Sequence, residues 1–244
     1  MAQFPDFVRI VEVGARDGLQ NEAAVSTQDK VALINGLADA GLKDIEAGAF
    51  VSPKWVPQMA DSSDVISALN LPSVNLSALT PNLRGAEAAK QVDIQEFAIF
   101  TAASEAFCQK NINCSIDESI DRFKDVMAFA KANNIRVRGY VSCVMGCPYQ
   151  GDVDYNDVLK VSQRLLELGC YEISLGDTIG VGTAKKVDEL LDLLLQHIDK
   201  SKLAVHFHDT YGQALANIFA AIEEGVTTFD SSVSGLGIKT ESLI

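Results

Sequence analysis

Short runs of β-branched and aliphatic residues alternate along this chain with longer runs in which apolar residues recur every three or four positions. The short runs predict strands at Arg9 to Val13, Asp44 to Phe50, Val74 to Leu79, Glu96 to Phe100, Arg136 to Ser142, Glu172 to Leu175, Leu203 to Phe207 and Thr227 to Val233. The longer runs predict helices. Ile116, Ile120, Phe123, Met127 and Ala130 share one helical face behind a Ser115-x-x-Glu118 capping box, and Val187, Leu190, Leu191, Leu194 and Ile198 share another. Gly41, Gly169 and Gly225 each close a helix-like run and precede a strand at the same offset, in GLKDIE, GCYEIS and GVTTFD. Glycine at that place stops a helix in a left-handed turn.

Strict alternation of strand and helix implies a parallel sheet, and eight units suit a closed (β/α)8 TIM barrel better than an open doubly wound sheet. The segment Gly14-Ala-Arg-Asp-Gly18 after the first strand has the wrong spacing for a dinucleotide fingerprint. A single TIM-barrel domain over residues 1–244 is expected. After the eighth strand only Ser234 to Ile244 remain, too little for an eighth covering helix. The barrel is therefore expected to be incomplete after about residue 237, with a bare apolar strip that favours association, a homodimer for example.

Charge narrows the function. A formal net charge of −13 repels phosphates and so argues against nucleic acid and anionic membranes as partners, leaving a small-molecule substrate. No stretch approaches the roughly 18 apolar residues a spanning helix needs, and the first strand begins too early to leave room for a leader, so a cytoplasmic protein is expected. The five cysteines, Cys108, Cys114, Cys143, Cys147 and Cys170, are odd in number and lack C-x-x-C spacing, which reads as reduced structural thiols.

The sharpest chemical signal is His206-Phe-His208-Asp209 at the end of the seventh strand, where period-two geometry turns both imidazoles to one face. Polar strand-end residues are an alternative reading, but the C-terminal end of a barrel strand is where such enzymes place catalytic groups. Arg16 and Asp17 end the first strand, separated from the seventh only by the eighth. Asp17, His206 and His208 together make a two-histidine, one-carboxylate set that leaves positions open on Mg²⁺ or Mn²⁺. Glu46 after strand two and Asp177 after strand six are either acid–base groups or loop carboxylates. Tyr140 and Ser142 share a face of strand five and either contact substrate or pack the barrel interior.

The blocks VEVGARDGLQNE, FVSPKWVPQMAD, LTPNLRG, KNINCSI, RGYVSCVMGCPY, YEISLGDTIGVGT and HFHDTYGQALAN, in this order from about residue 8 to residue 237, resemble the 3-hydroxy-3-methylglutaryl-CoA lyase family. The resemblance implies divalent-metal-dependent cleavage of that acyl-CoA to acetoacetate and acetyl-CoA, a step of leucine degradation. It implies Asp17, His206 and His208 as metal ligands and Arg16 as the stabiliser of the enolate oxygen. Glu46 and Asp177 match acids near the reacting hydroxyl, with Gln20, Tyr140, Ser142 and Thr178 as substrate contacts. After Ser234-Gly-Leu-Gly237 the pattern departs: the family's loop with a catalytic cysteine and an asparagine ligand has no counterpart, and Ile238-Lys-Thr240 resembles the residues after a later Gly-Leu-Gly of the family. Two alternatives to the active lyase are a truncated, impaired barrel that still binds metal or acyl-CoA, and a related acetyl-CoA condensing synthase.

Overall fold

Eight parallel strands close on themselves in sequence order in the computed structural model, which describes residues 4–20 and 22–237. The strands are β1 (Arg9–Glu12), β2 (Asp44–Ala49), β3 (Asn75–Leu79), β4 (Glu96–Ala102), β5 (Arg136–Ser142), β6 (Glu172–Asp177), β7 (Leu203–Phe207) and β8 (Thr228–Ser231). Closure is made by β8 against β1, with Arg9 opposite Thr228 and Glu12 opposite Ser231. Around the barrel lie α1 (Thr27–Asp39), α2 (Ser62–Ser67), α3 (Leu83–Gln91), α4 (Glu105–Asn111), α5 (Ile116–Ala132), α6 (Tyr155–Leu168), α7 (Ala184–Leu194) and α8 (Ala214–Glu223).

The predicted local signals account for these elements. Ser115 and Glu118 form the reciprocal capping box of α5. The apolar faces of α5 and α7 are buried, with Ile120, Phe123 and Ala130 on the first and Val187, Leu190, Leu191 and Leu194 on the second. Gly41, Gly169 and Gly225 have φ of 103°, 117° and 88°, the left-handed region where a Cβ is strained.

Two cores result from the alternation of side chains along each strand. The larger lies between sheet and helices and includes Ile34, Ile45, Phe97, Ile173 and Leu175. The smaller, with Leu79, Ala98, Tyr140, Ala49, Met59 and Leu19, fills the upper barrel interior. Beneath it the interior is polar. Asn75 Nδ2 donates to Asp44 (3.0 Å) and Glu96 (3.1 Å), Arg136 pairs with Glu96 (2.7 Å), and Arg9 pairs with Glu172 and Asp44.

The expected absence of a covering helix after β8 falls mostly on residues 238–244, which lie outside the described residues; the described part ends in a short 3-10 turn, Val233–Gly235. An apolar strip is present on α8, where Leu215 and Phe219 are 80% and 53% exposed and Phe4 packs over Phe219 with ring centroids 5.7 Å apart. Among the described residues no helix is long and apolar enough to cross a membrane. Replacing the fully buried Leu191 by Ala is expected to cost about 2–5 kcal/mol in urea unfolding. Leu215→Ala, on the exposed strip, should change stability by no more than about 0.5 kcal/mol.

Candidate active site

The first strand leads into a single wide π-type turn, Gly14–Gly18, in which the Val13 carbonyl accepts from the N–H groups of Arg16, Asp17 and Gly18. Such turns are rare and concentrate at functional sites. This one delivers two consecutive side chains, Arg16 and Asp17, to the C-terminal mouth of the barrel. The buried Glu12 anchors it: Oε1 accepts from Gly14 N (2.8 Å) and Val233 N (2.9 Å), and Oε2 from the Ser231 hydroxyl (2.6 Å). In β2 the register shifts between Glu46 and Gly48, a bulge of the kind that re-aims side chains beside active sites.

Seven side chains form a closed ring of polar contacts across this mouth. Arg16 Nη1 bonds Asp17 Oδ1 (2.7 Å), and Asp17 Oδ2 stands 3.5 Å from His206 Nε2. His206 Nδ1 lies 3.0 Å from Asp230 Oδ2, which also accepts from the Ser174 hydroxyl (2.8 Å). Asp230 Oδ1 faces Arg138 Nη2 at 2.8 Å as an ion pair, without the alignment of a hydrogen bond. Arg138 donates through Nη1 to the Tyr140 hydroxyl (2.9 Å) and through Nε to Glu172 (3.0 Å). Tyr140 in turn donates to Glu46 Oε2 (2.7 Å), and Glu46 Oε1 accepts from Arg16 Nε, completing the circuit.

Inside the ring, His206 Nε2 and His208 Nε2 converge to 3.1 Å, and with Asp17 their ligand atoms all lie within 4.8 Å of one another. Donors sharing one octahedral cation with bonds of about 2.1 Å sit about 3 Å apart, so this set fits a divalent ion. Two of the three groups already have the form a ligand needs, Asp17 ionised and His208 neutral, while His206 carries a proton that a cation would displace. Burial pushes the Asp17 carboxyl up, but Arg16 and His206 outweigh it and hold the group far below the usual range. Burial also disfavours a charged His206, yet its hydrogen bonds to Asp17 and Asp230 raise it to about 10. His208, disfavoured by burial and by the adjacent His206 charge, falls to about 4 and keeps a neutral ring. Asp230 is held at about 2, against its burial, by Arg138 and His206. A cavity of about 350 Å³ opens beside this cluster, lined by Asp17, His206, His208, Phe207, Leu215 and Leu236 among others.

The structure thus brings together Arg16, Asp17, Glu46, Tyr140, His206 and His208. Asp177 lies outside this ring of contacts. In the β6–β7 register Gly176 pairs with His206 and Asp177 with Phe207, so Asp177 points out of the barrel. Both its oxygens are used by its own loop, accepting from Val181 N (3.1 Å) and Gly182 N (2.7 Å), while burial raises its carboxyl. Thr178 stands beside the cluster, its backbone hydrogen-bonded to His208 and its hydroxyl accepting from Cys143 N (2.8 Å). Gln20 lines a second cavity of about 580 Å³ with Trp55, Pro57, Gln58 and Asn111. Ser142 stands half-buried at the end of β5, on the face of Tyr140. Sequence reasoning passed over Asp230, Arg138 and Glu12; the signal for the first two was a charge at the inward parity of a barrel strand.

A closed parallel barrel with a carboxylate and two histidines gathered at its C-terminal mouth defines the class, a TIM-barrel enzyme with a candidate divalent-cation site. The HMGL-like family model matches residues 7–242. The chain is 55% identical, over 96% of its length and 78% of the relative's, to the 3-hydroxy-3-isohexenylglutaryl-CoA/hydroxy-methylglutaryl-CoA lyase of Pseudomonas aeruginosa. It is 56% identical to the mitochondrial hydroxymethylglutaryl-CoA lyase of Bos taurus, over 96% of this chain and 73% of that one. The crystal structure of hydroxymethylglutaryl-CoA lyase from Pseudomonas aeruginosa superimposes with a TM-score of 0.94, covering 96% of this chain and 78% of that chain at 55% identity. The chain belongs to the hydroxymethylglutaryl-CoA lyase family.

Asp17→Ala or His206→Ala is expected to abolish Mn²⁺ binding in calorimetric titration. Asp177→Ala should leave that affinity at the wild-type value while lowering stability by about 1–3 kcal/mol, since one buried and one part-buried N–H group lose their acceptor.

Proposed function

We propose that this chain cleaves 3-hydroxy-3-methylglutaryl-CoA to acetoacetate and acetyl-CoA, with Asp17, His206 and His208 holding Mg²⁺ or Mn²⁺. The observation that carries the site assignment is the convergence of those three ligand groups beside a guanidinium at a barrel mouth. Lewis-acid polarisation and alignment of the substrate's tertiary hydroxyl and a carboxylate oxygen is the chemistry a divalent cation supplies when bound there.

The reaction takes a proton from that hydroxyl, turns C3 into a ketone and passes the electron pair of the C2–C3 bond to the thioester enolate. A proton then returns to C2. The residues of the ring serve two of these demands, alignment and the developing enolate charge. Arg16 has Nε on Glu46 and Nη1 on Asp17, which fixes the plane of its guanidinium. Among the described residues its Nη2 carries no such bond and is the donor available to the developing enolate oxygen. Asp17, kept ionised by Arg16 and His206, serves as a ligand and is a weak base. Glu46 orients Arg16, a role that its burial and two committed oxygens favour over proton transfer. Tyr140 backs the cluster, its ring edge-on to His206 with centroids 6.1 Å apart. Gln20 and Ser142, on the rim, and Thr178, at the turn after β6, are in position to meet the acyl-CoA.

The test is a coupled assay for acetyl-CoA release from 3-hydroxy-3-methylglutaryl-CoA. Turnover should vanish on treatment with EDTA and return with Mg²⁺ or Mn²⁺. Arg16→Gln should lower kcat about a hundred- to a thousand-fold with little change in Mn²⁺ affinity, as for loss of an oxyanion donor. Absence of acetyl-CoA release at saturating metal and substrate would refute the proposed activity.

A further inference from the structure

We propose that Asp230 is the positioning residue of the cation site, holding His206 by Nδ1 and so committing Nε2 to the cation. The inference rests on the site reading above. The His206 ring presents Nε2 toward His208 and Asp17, and Nδ1 toward Asp230 Oδ2, 3.0 Å away. An imidazole with one nitrogen tied to a carboxylate has one orientation and one useful tautomer, and its free nitrogen becomes a better ligand.

Asp230 is built for this. It is 1% exposed, its Oδ2 also accepts from Ser174 on β6, and its Oδ1 faces Arg138 on β5. Partners from β5, β6 and β7 therefore fix the carboxylate independently of the turn that follows β8. Charge compensation of Arg138 does not by itself explain Asp230, because Arg138 already has Glu172 at 3.0 Å and the Tyr140 hydroxyl at 2.9 Å. At Nδ1 of His206, among the described residues, Asp230 is the one carboxylate partner.

Two measurements test this without relying on turnover. Mn²⁺ affinity is read from the electron paramagnetic resonance of the free ion in wild type, Asp230→Asn and Ser174→Ala, with apoprotein melting recorded alongside. Ring ¹H–¹⁵N spectra of Mg²⁺-loaded wild type give the tautomer of His206, an assignable signal because the chain has three histidines. Asp230→Asn should weaken Mn²⁺ binding about 10- to 100-fold. Ser174→Ala should weaken it roughly two- to tenfold, the worth of one hydrogen bond to the carboxylate. In the wild type the His206 proton should reside on Nδ1.

An Asp230→Asn affinity indistinguishable from wild type, or His206 protonated on Nε2 in the Mg²⁺-loaded protein, overturns the inference. The ring spectrum needs no variant and decides even where Asp230→Asn does not fold. Wild type that binds no Mn²⁺ overturns the site reading and this inference together. Wild-type binding with an unaltered Asp230→Asn overturns the inference alone.

Discussion

Arg138 is the interaction on which the interior of this barrel depends. Its guanidinium is almost wholly buried and touches Glu172 below, Tyr140 beside it and Asp230 above. Burying a charge is tolerable only where partners replace water, and removing one partner of such a group typically costs about 3–5 kcal/mol. Here the partners lie on β5, β6 and β8. Through Glu172 the arginine joins the polar base of the barrel to Arg9 and Asp44; through Asp230 and Tyr140 it joins the mouth to His206 and Glu46. One side chain thus links the part of the barrel that serves closure to the part that serves chemistry.

Because the ring of contacts is closed, its members are not independent. Arg16 is held between two carboxylates, and each of these is held in turn by a group from another strand. Preorganisation of this kind lets donors stand ready for charge that develops in a reaction, with no reorganisation at the moment it appears. The divided pKa values of the two histidines, His206 raised and His208 lowered, express the same coupling before any cation is bound: one imidazole takes the positive charge between Asp17 and Asp230 and would give up its Nε2 proton to a cation, and its neighbour is kept neutral.

Much of this was legible in the sequence. Eight β-rich runs separated by amphipathic ones sufficed for the barrel, and predicted strand ends lie within about two residues of the observed ones, as boundary fraying allows. His206 and His208 were legible because period two puts them on one face, and Asp17 because β1 and β7 both flank β8. The same parity argument sets Asp177 apart from the ring: Ile173 and Leu175 face the outer core, and Asp177 continues their side. Asp230 stands inside a predicted strand at the inward parity, but that parity alone does not say what it holds. Its partners, Arg138, Ser174 and His206, come from three other strands, and no local pattern announces a contact of that kind.

The seam between β8 and β1 has a consequence for how the protein comes into being. Contacts there join residues 219 positions apart, such as Ser231 to Glu12, and the proposed ligand cluster draws on the strand ends immediately beside that seam. During synthesis the first ligand must wait, exposed, until nearly all the remaining barrel has emerged, and long loops of this sort are slow to close. A cation bound by the proposed ligand cluster would favour the closed chain by mass action, stabilising the seam after the last strand has docked.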